Sequence, residues 1–247
     1  MTALHYTVEA ANVHAHLFRI TLSIAEPQAT QTVSLPVWIP GSYLVREFSK
    51  NLQNLSAKQG RRLAAISQRD KCTWDIACKP GQPLVLSYEV YAFDNSVRTA
   101  WLDSQRGFFN GTSVCLRVHG QEDAPHQLQL TTVKSQPDWQ AATGLAPIKT
   151  DKKGFGLYQA ANYDELVDCP VELGTFWSGS FVACGVPHRF VVAGALPSFD
   201  GERLLADTQK ICEAAIGFWH GPGKAAGKKT PHKNYLFMLN AVHDGYG

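Results

Sequence analysis

Apolar and polar residues alternate along one short stretch of this chain after another. That two-residue period limits its possible folds more than any other feature. In Leu17-Phe18-Arg19-Ile20-Thr21-Leu22-Ser23-Ile24, the residues Phe18, Ile20, Leu22 and Ile24 fall on one face. Val33 to Ile39, Leu84 to Tyr91, Val114 to Val118 and Gln127 to Val133 are of similar length. Between these runs stand turn signals: Pro40-Gly41, Lys79-Pro80-Gly81, Asn110-Gly111 and Gln136-Pro137-Asp138. Antiparallel strands with one wet and one dry face account for the pattern, so the region is expected to form a β-sandwich. Asp151-Lys152-Lys153-Gly154 reads as a further hairpin turn before Phe155 to Ala160. Two more strands are expected at Gly174 to Cys184 and His188 to Ala195, joined by a tight turn at Gly185-Val186-Pro187.

After Pro197 the period changes. Leu204, Leu205, Thr208, Ile211, Cys212, Ala215, Ile216 and Trp219 recur at three- and four-residue steps, which predicts a helix over 202–220. Asp200 or Ser198 can cap its start, and Gly221-Pro222 ends it. Tyr235 to Val242 is a continuous apolar run, read as a buried strand. A sandwich that closes on itself leaves this helix and strand no layer to pack on, which predicts a second domain of which these are the opening elements. The expected boundaries are 1–165 for the β-sandwich domain and 166–247 for the second, incomplete one.

Composition narrows the function classes. With 23 Lys and Arg against 21 Asp and Glu, the net charge of +2 is too balanced for a nucleic-acid binder working by bulk electrostatics. No run approaches the roughly 18 apolar residues of a membrane helix, and no membrane partner is expected. Met1 to Ala10 lacks a basic region followed by an apolar run, so a cytoplasmic location is expected. The six cysteines (Cys72, Cys78, Cys115, Cys169, Cys184, Cys212) have no CxxC spacing and are read as reduced thiols.

Catalytic motifs are largely missing. No His is followed directly by Glu, so the zinc-protease pattern His-Glu-x-x-His is absent. His14 and His16 would share one side of a strand, yet two ligands do not make a metal site, and a polar edge is the better reading. Gly223-Lys224-Ala225-Ala226-Gly227-Lys228-Lys229-Thr230 is one residue short of a phosphate-binding loop and follows a helix, so it reads as a solvated linker. No Gly-x-Ser-x-Gly elbow occurs. Asn110-Gly111-Thr112 and Asn54-Leu55-Ser56 match the glycosylation pattern but read as turn and strand residues. The acidic groups Asp164, Glu165, Asp168 and Glu172 suit helix-end and strand-end hydrogen bonding, with a place in an interdomain cleft as the alternative.

Several strings carry a resemblance. Pro36-Val37-Trp38-Ile39-Pro40-Gly41-Ser42-Tyr43-Leu44-Val45-Arg46-Glu47-Phe48-Ser49 resembles a signature of the glycyl aminopeptidase family, metallopeptidase family sixty-one. Tyr88-Glu89-Val90-Tyr91-Ala92, Ser96-Val97-Arg98 and Arg106-Gly107-Phe108-Phe109-Asn110-Gly111-Thr112-Ser113 continue it in order. Tyr163-Asp164-Glu165-Leu166-Val167-Asp168-Cys169-Pro170-Val171-Glu172-Leu173-Gly174 is its strongest stretch. The resemblance implies a mainly β N-terminal domain followed by the first strands and one helix of a thermolysin-like α+β catalytic domain. It also implies a zinc-dependent aminopeptidase as parent, releasing small N-terminal residues from peptides, with zinc bound by later residues. This chain then holds no catalytic residue, metal ligand or cofactor of its own and is expected to be inactive alone. Tyr246 and Gly247 resemble the start of a substrate-aligning strand, and Asn110 is the remaining substrate-binding candidate. The alternative is a free-standing β-sandwich interaction module of shared ancestry. A helix whose apolar stripe awaits a missing layer also predicts self-association through 202–220.

Overall fold

The structure is a computed structural model, and it describes residues 3–39, 41–221 and 223–243. Two compact units divide the chain, one ending at Gly174 and the other starting at Thr175. The first unit opens with β1 (Leu4–Asn12), β2 (Leu17–Ile24), β3 (Thr30–Ser34), β4 (Leu52–Gln59), β5 (Arg62–Leu63), β6 (Ile66–Asp70), β7 (Thr73–Ala77) and β8 (Leu84–Tyr91). It continues with β9 (Ala100–Leu102), β10 (Arg106–Phe109), α1 (Gly111–Val114), β11 (Arg117–Val118) and β12 (His126–Leu130). It closes with β13 (Gln140–Thr143), β14 (Ala146–Thr150), β15 (Gly156–Ala160), α2 (Tyr163–Asp168) and β16 (Val171–Gly174).

These strands build an eight-stranded sheet in the order β14-β15-β12-β1-β2-β8-β4-β5 and two four-stranded sheets, β13-β16-β10-β9 and β11-β3-β7-β6. One face of the large sheet is apolar because alternate residues of each strand point inward. Tyr6 and Val8, Phe18 and Ile20, Leu86 and Tyr88, and Leu128 and Leu130 are all buried there. They share a single core with Val33, Trp74 and Ile76 of one small sheet and Leu102, Phe109 and Leu173 of the other. Phe18 meets Phe109 edge-to-face across that core, with ring centroids 5.4 Å apart. The unit is mainly β, as the alternation implies.

Most pairings are antiparallel, but β1 runs parallel to β12, from Leu4 opposite His126 to Val8 opposite Leu130. Alternation alone does not distinguish the two directions. β2 and β8 match their expected ranges, whereas the run from Val33 leaves its sheet after Ser34. Val114 to Val118 is not one strand: it contains the end of α1 and the two-residue β11. Every residue from Gly111 to Leu116 is buried, so no wet face existed to reveal the conformation. His14 and His16 do not share a strand face. They sit in the turn between β1 and β2, where His16 takes a positive φ of 59°.

Residues 166–174 lie within the first unit. β16 is held between β10 and β13, and α2 packs on α1. A boundary at 165 would cut α2 in two.

The second unit has β17 (Phe176–Ala183) and β18 (Val186–Ala193), followed by α3 (Gly201–His220), α4 (Lys224–Gly227) and β19 (Tyr235–Asn240). β17 and β18 form a hairpin in which Ala183 faces Val186. The turn is therefore Cys184-Gly185, with φ of 49° and 86°, rather than Gly185-Val186-Pro187. Positive φ at both positions matches the twist of a two-residue hairpin. Asp200 caps α3 by accepting from the Arg203 backbone N–H at 2.9 Å. β19 adds to β18 in parallel, half exposed rather than buried, as an outer strand of its three-stranded sheet.

Candidate functional site

Asn110 is the one sequence-derived site residue within the described part of the chain; Tyr246 and Gly247 lie outside the described residues. β10 carries the chain through the middle of its sheet, and Asn110 begins the turn that follows. Its backbone N–H donates to the Thr99 carbonyl at 3.0 Å, and its Nδ2 donates to the Val97 carbonyl at 2.7 Å. Its own carbonyl accepts from both the N–H and the hydroxyl of Ser113, at 2.9 and 2.7 Å. Asn110 is thereby fixed in orientation, with Oδ1 left without a donor among the described residues.

The chain beyond Asn110 is clamped from three sides. Tyr88, Tyr163 and Tyr6 donate their hydroxyls to the consecutive carbonyls of Val114, Cys115 and Leu116, each at 2.7 Å. The Tyr88 oxygen also accepts the Leu116 N–H at 3.2 Å. All three phenols are fully buried, and burial pushes their pKa values well above the ordinary tyrosine range, so they stay protonated donors. Burial likewise pushes the Cys115 thiol up to about 12, which leaves it inert as a nucleophile.

Gly111 fits because α2 presses against it: a Cβ there would stand 2.8 Å from the Cα of Val167. Next to it, the Thr112 hydroxyl is buried and has no hydrogen-bond partner among the described residues.

At the other end of β10 lies a buried ion pair. Arg106 donates from Nε and Nη2 to the two carboxylate oxygens of Glu172, at 2.6 and 2.8 Å, and from Nη1 to Asn95 at 2.9 Å. Burial raises the Glu172 pKa, an effect that the guanidinium opposes. Of the acidic residues singled out from the sequence, Glu172 thus ties β16 to β10. Glu165 belongs to the capping of α2, where the Asn162 side chain accepts its N–H at 2.8 Å and its carboxylate accepts the Ala161 N–H at 2.5 Å.

The geometry therefore offers a rigid amide that can accept a hydrogen bond, set on a buried polar scaffold. Among the described residues, no three His, Cys, Asp or Glu side chains converge as a metal site would need. Sequence reasoning did not find the tyrosine clamp. Tyr88 and Tyr163 stood inside the strings that carried the resemblance, and their inward register was the available signal.

The sequence profile described as the Peptidase M61 N-terminal domain matches residues 5–175. The chain belongs to this family. The match ends where the first compact unit ends, so the M61 domain and the unit of three sheets are the same object. Among solved structures, an aminopeptidase N family protein from Idiomarina loihiensis is similar to this M61 chain, with 36% identity and a TM-score of 0.92. The alignment covers 99% of this chain and 40% of that one, so this chain spans about two fifths of its length. An M1 zinc metallopeptidase from Deinococcus radiodurans, solved with a Tyr-Ser-Ala substrate, shares the fold at 16% identity and a TM-score of 0.55, covering 98% of this chain and 56% of that one. Yeast LTA4 hydrolase does so at 11% identity and a TM-score of 0.51, covering 99% and 38%. No curated protein matches the sequence.

Proposed function

We propose that this chain is the N-terminal part of a zinc-dependent aminopeptidase that releases small N-terminal residues, glycine and alanine, from peptides. The observation that carries the reading is the likeness to the Idiomarina protein, which runs through both compact units and not the M61 domain alone. In this reading, residues 175–243 open a thermolysin-like peptidase domain. Zinc would polarise the scissile carbonyl and acidify the attacking water. In this reading its ligands and the general base come from other residues of the parent protein.

The part played by this chain is recognition. A peptide's terminal ammonium needs acceptors at fixed positions, and Asn110 Oδ1 is such an acceptor, with its amide nitrogen already committed to Val97. Tyr246 and Gly247 are the further substrate-binding candidates of this reading.

The test is hydrolysis of glycyl and alanyl amides by the complete gene product and by the 247-residue chain. Chelator-sensitive turnover is expected from the former and none from the latter. A complete product that ignores free-amine substrates would overturn the reading. Asn110→Ala should raise KM for free-amine peptides by roughly tenfold, the worth of one charge-assisted hydrogen bond of about 1.5 kcal/mol. An unchanged KM would remove Asn110 from substrate binding.

A further inference from the structure

A cavity of about 510 Å³ lies in the first unit, where the chain leaves the eight-stranded sheet after β5 and enters the β11-β3-β7-β6 sheet. One wall is the β4–β5 hairpin, with Arg61 in its turn and Arg62 opposite Gln59. The facing wall is the loop from Lys79 to Pro83.

That loop is held in place by one buried side chain. Gln59 accepts the Lys79 N–H through Oε1 at 2.7 Å and donates from Nε2 to the carbonyls of Lys79 and Gln82, at 3.0 and 2.7 Å. Ala64 and Ala77 tie the crossover down by donating their N–H groups to Ala57 and Ala65, at 2.9 and 3.0 Å. The loop wall is therefore fixed by satisfied hydrogen bonds, and the cavity, though open to solvent on one side, falls within the size range of small-molecule sites.

Its charge is one-sided. Arg61, Arg62 and Lys79 line it, and no Asp or Glu does. None of the three takes part in an ion pair among the described residues, whereas nearby Arg69 is neutralised by Asp75 at 2.8 Å. The remaining lining is apolar: Leu63, Ala64, Ala65, Ala77 and Pro83. Three cations around one concave space repel each other, and an anion entering it relieves that repulsion.

We propose that this cavity binds a small organic anion, a carboxylate or phosphate head carried on a short apolar body. The head sits among Arg61, Arg62 and Lys79, and the body lies on Leu63, the alanines and Pro83. The inference is independent of the peptidase reading, since the cavity and Asn110 use different residues.

The test titrates the 247-residue chain at low salt with octanoate and octyl phosphate, following backbone amide shifts at Gly60 and Gly81 by NMR. Octylamine and inorganic phosphate serve as the matched cation and the bare head. The expected result is saturable binding of one or both octyl anions, tighter than inorganic phosphate, with no saturation by octylamine. Preference between the two octyl anions identifies the head. Arg61→Ser in the turn with Arg62→Ser at the start of β5, both exposed, should weaken binding about fivefold or more while the circular dichroism spectrum stays unchanged. Binding of octylamine as tight as that of the anions, a double variant with undiminished affinity, or no saturation below about 10 mM would each overturn the proposal. Inorganic phosphate binding as tightly as octyl phosphate would overturn its apolar half.

Discussion

Tyr88 shows how much one hydroxyl can hold. Its oxygen donates to the Val114 carbonyl and accepts the Leu116 N–H, so a single buried atom satisfies two backbone groups of the same segment. Tyr88→Phe keeps the ring and strands both groups away from water. The expected cost is about 1–3 kcal/mol, measured by urea unfolding, because buried polar groups left unpaired are expensive. A loss below a few tenths of a kcal/mol would mean that water replaces the hydroxyl. His126 gives a second prediction at this scale. It is fully buried, its Nδ1–H donates to the Ala124 carbonyl at 2.7 Å, and its Nε2 has no partner among the described residues. Burial holds its pKa below the ordinary 6.5. The unfolded chain takes up a proton near 6.5 while the native chain does not. Stability is therefore complete above that value and falls as pH drops below it, until the native imidazole is protonated too. His119 and His232, also held low by burial, act in the same direction, so nitrogen NMR of the assigned His126 ring is the deciding measurement. A His126 that titrates at or above 6.5 would refute the argument.

Among the elements, those with one wet face and one dry face were legible in the sequence, and the others were not. β2 and β8 alternate cleanly because they run through the middle of the large sheet, and both fall on their expected ranges. β4, β5 and β6 went unread because polar residues such as Gln, Lys, Ser and Arg crowd them and few of their positions are buried, and β7 went unread because its alternation, with Trp74 and Ile76 inward, lasts only five residues. Of the candidate site, Asn110 was legible as a turn residue within a distinctive string. The partners that fix it, Val97 and Thr99, come from a loop whose position only the tertiary structure reveals. α3 was legible in extent but not in orientation. Its buried contacts come from Gly201 and Ile216, with Leu205 close against Gly179, while Ile211 is 67% and Trp219 76% exposed. A charge at Leu205 would therefore disturb the packing on β17, so the test of self-association uses outward residues. Ile211→Glu with Trp219→Glu should abolish any concentration-dependent association seen by sedimentation and leave the fold intact. A wild-type chain that stays monomeric at high concentration would rule out association through this helix.

At the scale of the whole molecule, the two units differ in how much apolar surface each encloses. The first has one continuous core drawn from all three of its sheets. Among the described residues of the second, Ala183, Ile216 and Ala226 form one small cluster with Phe181, Cys184 and Cys212 against it, and Val186, Phe190, Val191, Val192 and Ala193 of β18 are buried besides. Burial is the main driving term in folding, so the first unit should be the more stable. Hydrogen exchange should show slow amides across β1, β2, β8 and β12 and faster ones across β17 to β19. Residues 1–174 alone should fold cooperatively with the same slow amides. If both units exchange at one common rate, the chain unfolds as a single cooperative block.

The parallel pairing of β1 with β12 has a consequence for how this protein is made. His5 and its partner Gln127 are 122 residues apart, so β1 leaves the ribosome well before β12. β2 can pair with it early, but the other edge of β1 stays open until β12 has been synthesised. At ordinary elongation rates that delay is on the order of ten seconds. Through that interval Leu4, Tyr6 and Val8 stand beside an unfilled ladder position, and any extended segment of a neighbouring nascent chain can take it. The growing polypeptide therefore exposes a strand edge that the finished fold covers, and aggregation is to be expected from the former rather than the latter.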